Sequence, residues 1–146
     1  METGKIVAVS ISEKKGIKKR NVSSVELKIN LGIIGDAHAE GGIRQLSLLA
    51  FESIDKMKSK GLDVAPGNFA ENITTLGLDL SSLKIGTKLK AGSGVLLEIS
   101  QIGKDCHSRC NIYYQAGDCI MPREGIFARV LEGGVISPGD KLEVIN

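Results

Sequence analysis

From Lys5 to Ile145 the chain is a succession of short apolar runs, nearly all of them bounded by turns that contain glycine. "KIVAVSI" begins at Lys5, "SVELKINLGII" at Ser24, "NITTLGL" at Asn72, "TKLKAG" at Thr87, "VLLEISQI" at Val95, "GIFARVLEGG" at Gly125 and "KLEVI" at Lys141. Runs of this kind read as strands, and their spacing by Gly, Pro and Ser turns predicts a barrel or folded sheet. Aromatic residues make up only 3% of the chain and Trp is absent, so the core must be built from Val, Ile and Leu, which favours strands over a bundle. The expected fold class is mainly β with minor α: a mixed, barrel-like folded sheet with one or two short helices. At 146 residues, a single domain spanning 1–146 can bury one hydrophobic core without staples.

One segment departs from the strand pattern. In "LLAFESIDKMKSKG", Ala50, Ile54 and Met57 recur at helical spacing, with Glu52, Lys56 and Lys58 left for solvent. An amphipathic helix capped by Gly61 in the left-handed region is expected. A second, shorter helical turn is expected in "CHSRCNIYYQ", where it would set Cys106 and Cys110 on one face. The basic run "EKKGIKKRN" from Glu13 lies between two predicted strands and reads as a solvated hairpin, with phosphate binding as the alternative. The fragments "IGTKLKAG" and "PGDKLEVI" share an entry into a strand from a glycine turn, which common turn chemistry explains.

Nineteen Lys and Arg against seventeen Asp and Glu leave a net charge of +2, too balanced for a protein held on nucleic acid by its overall charge. No nucleic-acid partner is expected. No stretch approaches the about 18 uninterrupted apolar residues of a membrane span, and the first residues lack the apolar core of a secretion signal. A soluble, cytoplasmic protein with no membrane association is expected. Three cysteines, an odd number, without a secretion signal argue for free thiols rather than a disulfide framework.

Three groups of residues carry chemistry. In "GIIGDAHAEGGIRQLSLL", Asp36 and His38 stand at alternate positions of a strand end, so they could share a pocket wall. The alternative is an Asp that caps local backbone N–H groups beside a surface His. In "APGNFAENITT", Asn68, Glu71 and Asn72 surround a turn that leads into a strand, where their side chains can bond backbone as easily as ligand; the structural reading is the stronger. The third group, "CHSRCNIYYQAGDCIMPREG", gathers all three cysteines within twenty positions. A structural zinc site needs about four ligands. Cys106, His107, Cys110 and Cys119 supply that count, but Cys119 stands alone and His107 adjoins Cys106, unlike the two compact pairs of such sites. A buried inert thiol accounts for any one cysteine, though not for its neighbours. Lys104, His107, Arg109 and Arg123 surround the thiols in sequence, and nearby cations raise the thiolate fraction.

The order "GIIGDAH", "RQLSLL", "GNFAENITTLGLDLSSLKIGTKLKAG" and then "GKDCHSRC" resembles the MOSC family, named for the C-terminal domain of molybdenum cofactor sulfurases. The likeness runs from about Gly32 to the end, with the elements in the family order. It implies a strand-rich, barrel-like fold and an association with the molybdenum cofactor and with sulfur transfer through a cysteine. Cys110 best matches that cysteine, with Cys106 close behind. Gly35, Asp36, His38, Arg44, Asn68 and Asn72 match other recurring positions, which implies membership of a pocket.

The short form looks like the stand-alone bacterial members. It lacks the aminotransferase-like domain that uses pyridoxal phosphate in full-length sulfurases, so no covalently bound pyridoxal phosphate is expected. Sulfur would come from a separate cysteine desulfurase or other donor, and the further partner would be a molybdoenzyme or a cofactor-biosynthesis protein. Molybdopterin carries a phosphate and a dithiolene-held metal, which call for cations and, for the metal, a soft thiolate. Arg44, Arg109 and Arg123 can meet the first need and Cys110 the second. A persulfide on Cys110 would serve as sulfur donor, with Asp36 and His38 ordering the pocket. A non-covalent module that binds or inserts the cofactor is the first alternative, and a zinc-stabilised interaction domain the second.

Overall fold

Alternation along the strands decides which side of the sheet becomes the interior. In Lys88–Ala91, Leu89 and Ala91 are buried while Lys88 and Lys90 face solvent, as a half-buried strand requires. The computed structural model describes residues 3–14, 17–37, 39–103 and 124–145. In chain order they form β1 (Thr3–Ile11), β2 (Arg20–Val22), β3 (Val25–Lys28), β4 (Gly32–Ile33), β5 (Leu46–Ala50), α1 (Phe51–Ser59) and β6 (Ile73–Leu76). These are followed by β7 (Lys88–Ala91), β8 (Val95–Ile102), β9 (Ile126–Glu132), β10 (Gly134–Ile136) and β11 (Lys141–Ile145).

The main sheet runs β11-β7-β8-β9-β5-β6-β1, and β11 also pairs with β1, closing a seven-stranded barrel. β5 and β6 are parallel while the other neighbours in the ring are antiparallel, so the barrel is mixed. Register shifts in β1 between Ile6 and Ala8, and in β8 on either side of Leu97–Ile99, supply the bends that a closed sheet needs. β2 extends the sheet along the far end of β1, and a small sheet, β10-β3-β4, packs beside the ring. Ile6, Val9, Leu46, Leu48, Ile73, Leu97, Ile99, Ala128 and Val130 fill the interior, joined by Leu27 and Ile136 of the small sheet.

The parallel pair requires a crossover, which α1 and the segment after it provide. Ile54 and Met57 of α1 are fully buried and pack with Leu49 of β5, Phe127 of β9, Val64 and Phe69 in a second core outside the barrel. The helix closes with Leu62 N–H on the Met57 carbonyl and Gly61 N–H on that of Lys58, with Gly61 at φ 92°. This is the glycine cap expected from sequence.

The helix starts later than its periodicity predicts. Leu48–Ala50 belongs to β5, because Leu48 faces the barrel while Leu49 faces the helix. The run from Ser24 to Ile34 is also divided: Asn30 takes φ 59° and turns β3 into β4. The basic run does join two paired strands, β1 and β2, but it is not solvated throughout, since Lys19 is buried. The predicted helical turn through "CHSRCNIYYQ" lies outside the described residues.

Candidate functional site

The turn before β6 is held by a buried carboxylate. Glu71 has no exposed surface. One carboxylate oxygen accepts from Gly67 N–H at 3.0 Å and from the Thr74 hydroxyl at 3.0 Å, the other from Phe69 N–H at 3.2 Å. Burial raises the Glu71 pKa above its ordinary 4.5, against the opposing pull of those bonds and of its own N–H. Desolvation of the charged form therefore outweighs the donors gathered around it. Gly67 is fixed by the same packing: at φ +93°, an added Cβ would lie 2.4 Å from the Lys19 carbonyl oxygen.

Asn72, equally buried, links three elements. Its Oδ1 accepts from Ser47 N–H at 3.0 Å and from the Ser47 hydroxyl at 3.3 Å, while its Nδ2 donates to the Ser10 carbonyl at 3.1 Å. It therefore ties β5 to β1 across the start of β6. Two residues beyond Ser10, just past the end of β1, Ser12 N–H donates to Asp36 Oδ1 at 3.0 Å, and Lys19 Nζ reaches the same oxygen at 2.8 Å. The side chains of Lys19 and Asp36 are both inaccessible to solvent. Asp36 thus binds the backbone just beyond β1, and it partners a lysine from the basic run. Asn68 is half-buried and accepts from Ala65 N–H at 3.0 Å, closing its own turn.

Arg44 is placed differently. Asn72 N–H bonds the Ser47 carbonyl, Ser47 is opposite Phe127, and Phe127 is opposite Gln101. These four residues form one row across β6, β5, β9 and β8, on the outer side of the barrel wall. Arg44 is exposed, its guanidinium carbon 5.5 Å from the centre of the Phe127 ring, within cation–π range. Its Nε donates to Gln101 Oε1 at 3.0 Å. Gln101 Nε2 in turn donates to the Gly103 carbonyl at 2.9 Å, and Gly103 N–H to the Gly125 carbonyl at 2.7 Å. Those two glycines flank the segment 104–123. Arg129, two positions beyond Phe127 on the same side of β9, pairs with Glu98, and its buried Nε has no acceptor among the described residues.

Asn72, Asp36 and Arg44 therefore share one polar outer wall, with Asn68 in the turn beside it. His38, Cys106, His107, Arg109, Cys110, Cys119 and Arg123 lie outside the described residues, as do the zinc and reactive-thiol readings built on them. Among the described residues, no group of three or more His, Cys, Asp or Glu stands together as metal ligands would, and no helix is long and apolar enough to cross a membrane.

A pocket of about 420 Å³ opens elsewhere, at the start of α1, and includes none of the residues named above. Its charged groups are engaged within the protein. Glu52 accepts from Gly77 N–H, Asp79 from Ser81, and Glu124 from Ser53 and Lys56. The Arg44 guanidinium suits an oxyanion better: no described residue accepts from its terminal nitrogens, whereas Arg129 is paired with Glu98. Gln101 and Phe127 are members of this wall that the motifs do not mark. A Gln and a Phe ending and opening ordinary strands carry no signal until β8 and β9 are paired.

Fold and site together define a small closed barrel of mixed strands with a polar outer wall on which Arg44 is exposed. The MOSC domain family model matches residues 35–143, and the chain belongs to that family, which is associated with molybdenum cofactor binding and sulfuration. The fold is shared with the YuaD protein from Bacillus subtilis, with a TM-score of 0.79 at 20% identity over 97% of this chain and 95% of that one. YiiM from Geobacillus stearothermophilus aligns with a TM-score of 0.75 at 23% identity, over 98% of this chain and 75% of that one. YiiM from Escherichia coli gives 0.67 at 21% identity, over 100% and 71%. No curated protein matches the sequence.

Proposed function

We propose that this MOSC-domain chain binds the molybdenum cofactor through its phosphate at the wall that carries Arg44, and that it carries sulfur on Cys110. The observation behind this reading is the chain of bonds from Arg44 through Gln101 to Gly103. An anion-binding guanidinium is thereby tied to the root of the segment that contains all three cysteines. Arg109 and Arg123 would add cations from that segment, while Asp36, Asn72 and Asn68 hold the wall and its turn in place. His38, two residues beyond Asp36, would complete the pocket. When bound, the cofactor supplies a dithiolene-held metal that takes a soft sulfur ligand.

Loading of sulfur needs a persulfide donor, R–S–SH, such as a cysteine desulfurase. The Cys110 thiolate attacks the terminal sulfur, the donor S–S bond breaks, and the donor leaves as a thiolate while Cys110 keeps the sulfur and its proton. A molybdoenzyme or a cofactor-biosynthesis protein would receive the product. Incubation with a desulfurase and cysteine, followed by mass spectrometry, should show one added sulfur atom on the wild type and on Cys106→Ser. None should appear on Cys110→Ser. A persulfide that persists in Cys110→Ser would sink the role of that residue. Cofactor binding without any persulfide in the wild type would leave a non-covalent carrier.

A further inference from the structure

We propose that Gln101 is the positioning residue of the anion site: it sets the edge that Arg44 presents to a phosphate and fixes that edge to the base of the cysteine-bearing connection. The inference rests on the phosphate role proposed above for Arg44.

An exposed arginine samples many rotamers, and an anion that captures it must overcome that freedom. Two contacts remove much of it here. The Phe127 ring centre lies 5.5 Å from the guanidinium carbon, within cation–π range, and Gln101 Oε1 accepts from Nε at 3.0 Å. A guanidinium can grip an oxyanion by its Nε side or by its two terminal nitrogens. With Nε taken, the terminal pair remains, and no described residue accepts from it.

The other end of the amide is equally determined. Gln101 Nε2 donates to the Gly103 carbonyl at 2.9 Å. A guanidinium offers only donors and a carbonyl only an acceptor, so the orientation of the amide admits one assignment. Gln101 is also held by the strand pair itself, opposite Phe127, so the ring beneath Arg44 and the acceptor beside it belong to one rung of the sheet. Glutamate at this position would accept from Arg44 but could not donate to Gly103, and its charge would neutralise the site. Alanine would remove both bonds.

The test follows the Arg44 side-chain Nε–H signal by NMR in arginine-labelled protein, assigned by its loss in Arg44→Ala, while inorganic phosphate is added, and phosphate affinity is measured separately by titration calorimetry in the wild type and every variant. In the wild type the Nε–H should exchange slowly with solvent, and phosphate should shift it. Gln101→Ala should speed exchange and weaken phosphate binding roughly three- to tenfold, the scale of one lost hydrogen bond and a freed side chain. Gln101→Glu should keep exchange slow yet bind phosphate more weakly still. That split between exchange and affinity is one a purely structural role would not produce. If both variants bind phosphate like the wild type while Arg44→Ala does not, Gln101 is no positioning residue and the Arg44 reading stands. If phosphate binding survives Arg44→Ala, or is absent from the wild type, the phosphate role of Arg44 falls and this inference falls with it. Should Gln101→Ala fail to fold, the Gln101→Glu arm alone decides, because it retains the side-chain volume.

Discussion

Two polar groupings share the outer wall of the barrel and differ in what remains after the protein's own bonds are made. In the seam formed by Asp36, Lys19, Glu71 and Asn72, each side chain is buried and bonded to backbone or to a neighbouring polar group. At Arg44, one guanidinium nitrogen is engaged and no described residue accepts from the terminal pair. Asp36, Glu71, Asn72 and Arg44 stand in the motifs that mark the family and Lys19 in the basic run; among these, Arg44 keeps donors that no described residue takes up. The seam is the part of the motif that builds the wall, and Arg44 is the part that can meet a ligand.

The strongest way to break this distinction is to cut the seam. Asp36→Ala removes a carboxylate buried against Lys19 and the Ser12 N–H, and removing one partner of a buried pair costs about 3–5 kcal/mol. Urea unfolding should show that loss, and the Lys19→Met/Asp36→Leu double variant should recover much of it. A loss under about 1 kcal/mol would mean that solvent reaches the lysine. Asn72→Ala strands the Ser47 N–H and the Ser10 carbonyl, and should cost about 2 kcal/mol. Thermal unfolding unchanged by that variant would remove Asn72 from the scaffold.

Glu71 sharpens the comparison through pH. Its folded pKa is raised above the ordinary 4.5, so the native state holds the proton more tightly than the unfolded chain. The associated stability is present in full below about 4.5, declines as pH climbs through the raised value, and is gone above it. The stability difference between wild type and Glu71→Gln, measured by urea unfolding at several pH values, should therefore favour the wild type most at the acid end. A difference that is flat from pH 4 to 8 would contradict the shift. The smallest effect belongs to Lys56→Ala, which breaks an exposed pair with Glu124. It should change stability by no more than about 0.5 kcal/mol, and a larger change in the melting temperature would show that the pair does more than decorate the surface.

The barrel was legible because its strands end at glycine turns, as with Val95–Ile102, whose bounds match the sequence run. β5 was not, since an apolar run buried on both faces looks the same in a strand and a helix. "LSLLAF" passes from one to the other without a breaker. The hairpin basic run hid a buried lysine, because its partner Asp36 lies beyond three intervening strands. For the turn at Asn68, Glu71 and Asn72, the structural reading is the one found, since short polar side chains before a strand readily bond backbone. Gln101 and Phe127 could not be found from spacing at all, because the rung that joins them exists only after β8 and β9 pair.

The seam that closes the ring, Thr3 opposite Glu143 and Lys5 opposite Lys141, has a consequence for how the molecule comes into being. Contacts between segments so far apart in sequence form late and slowly. During synthesis, β1 emerges before its partner β11, with nine strands made between them. Until residues 141–145 have been made, the Thr3–Lys5 side of β1 is an unpaired edge, open to other chains in a crowded cell. The closed barrel removes that hazard at the moment the last strand docks, so the protein's exposure to aggregation is concentrated in its birth rather than in its working life.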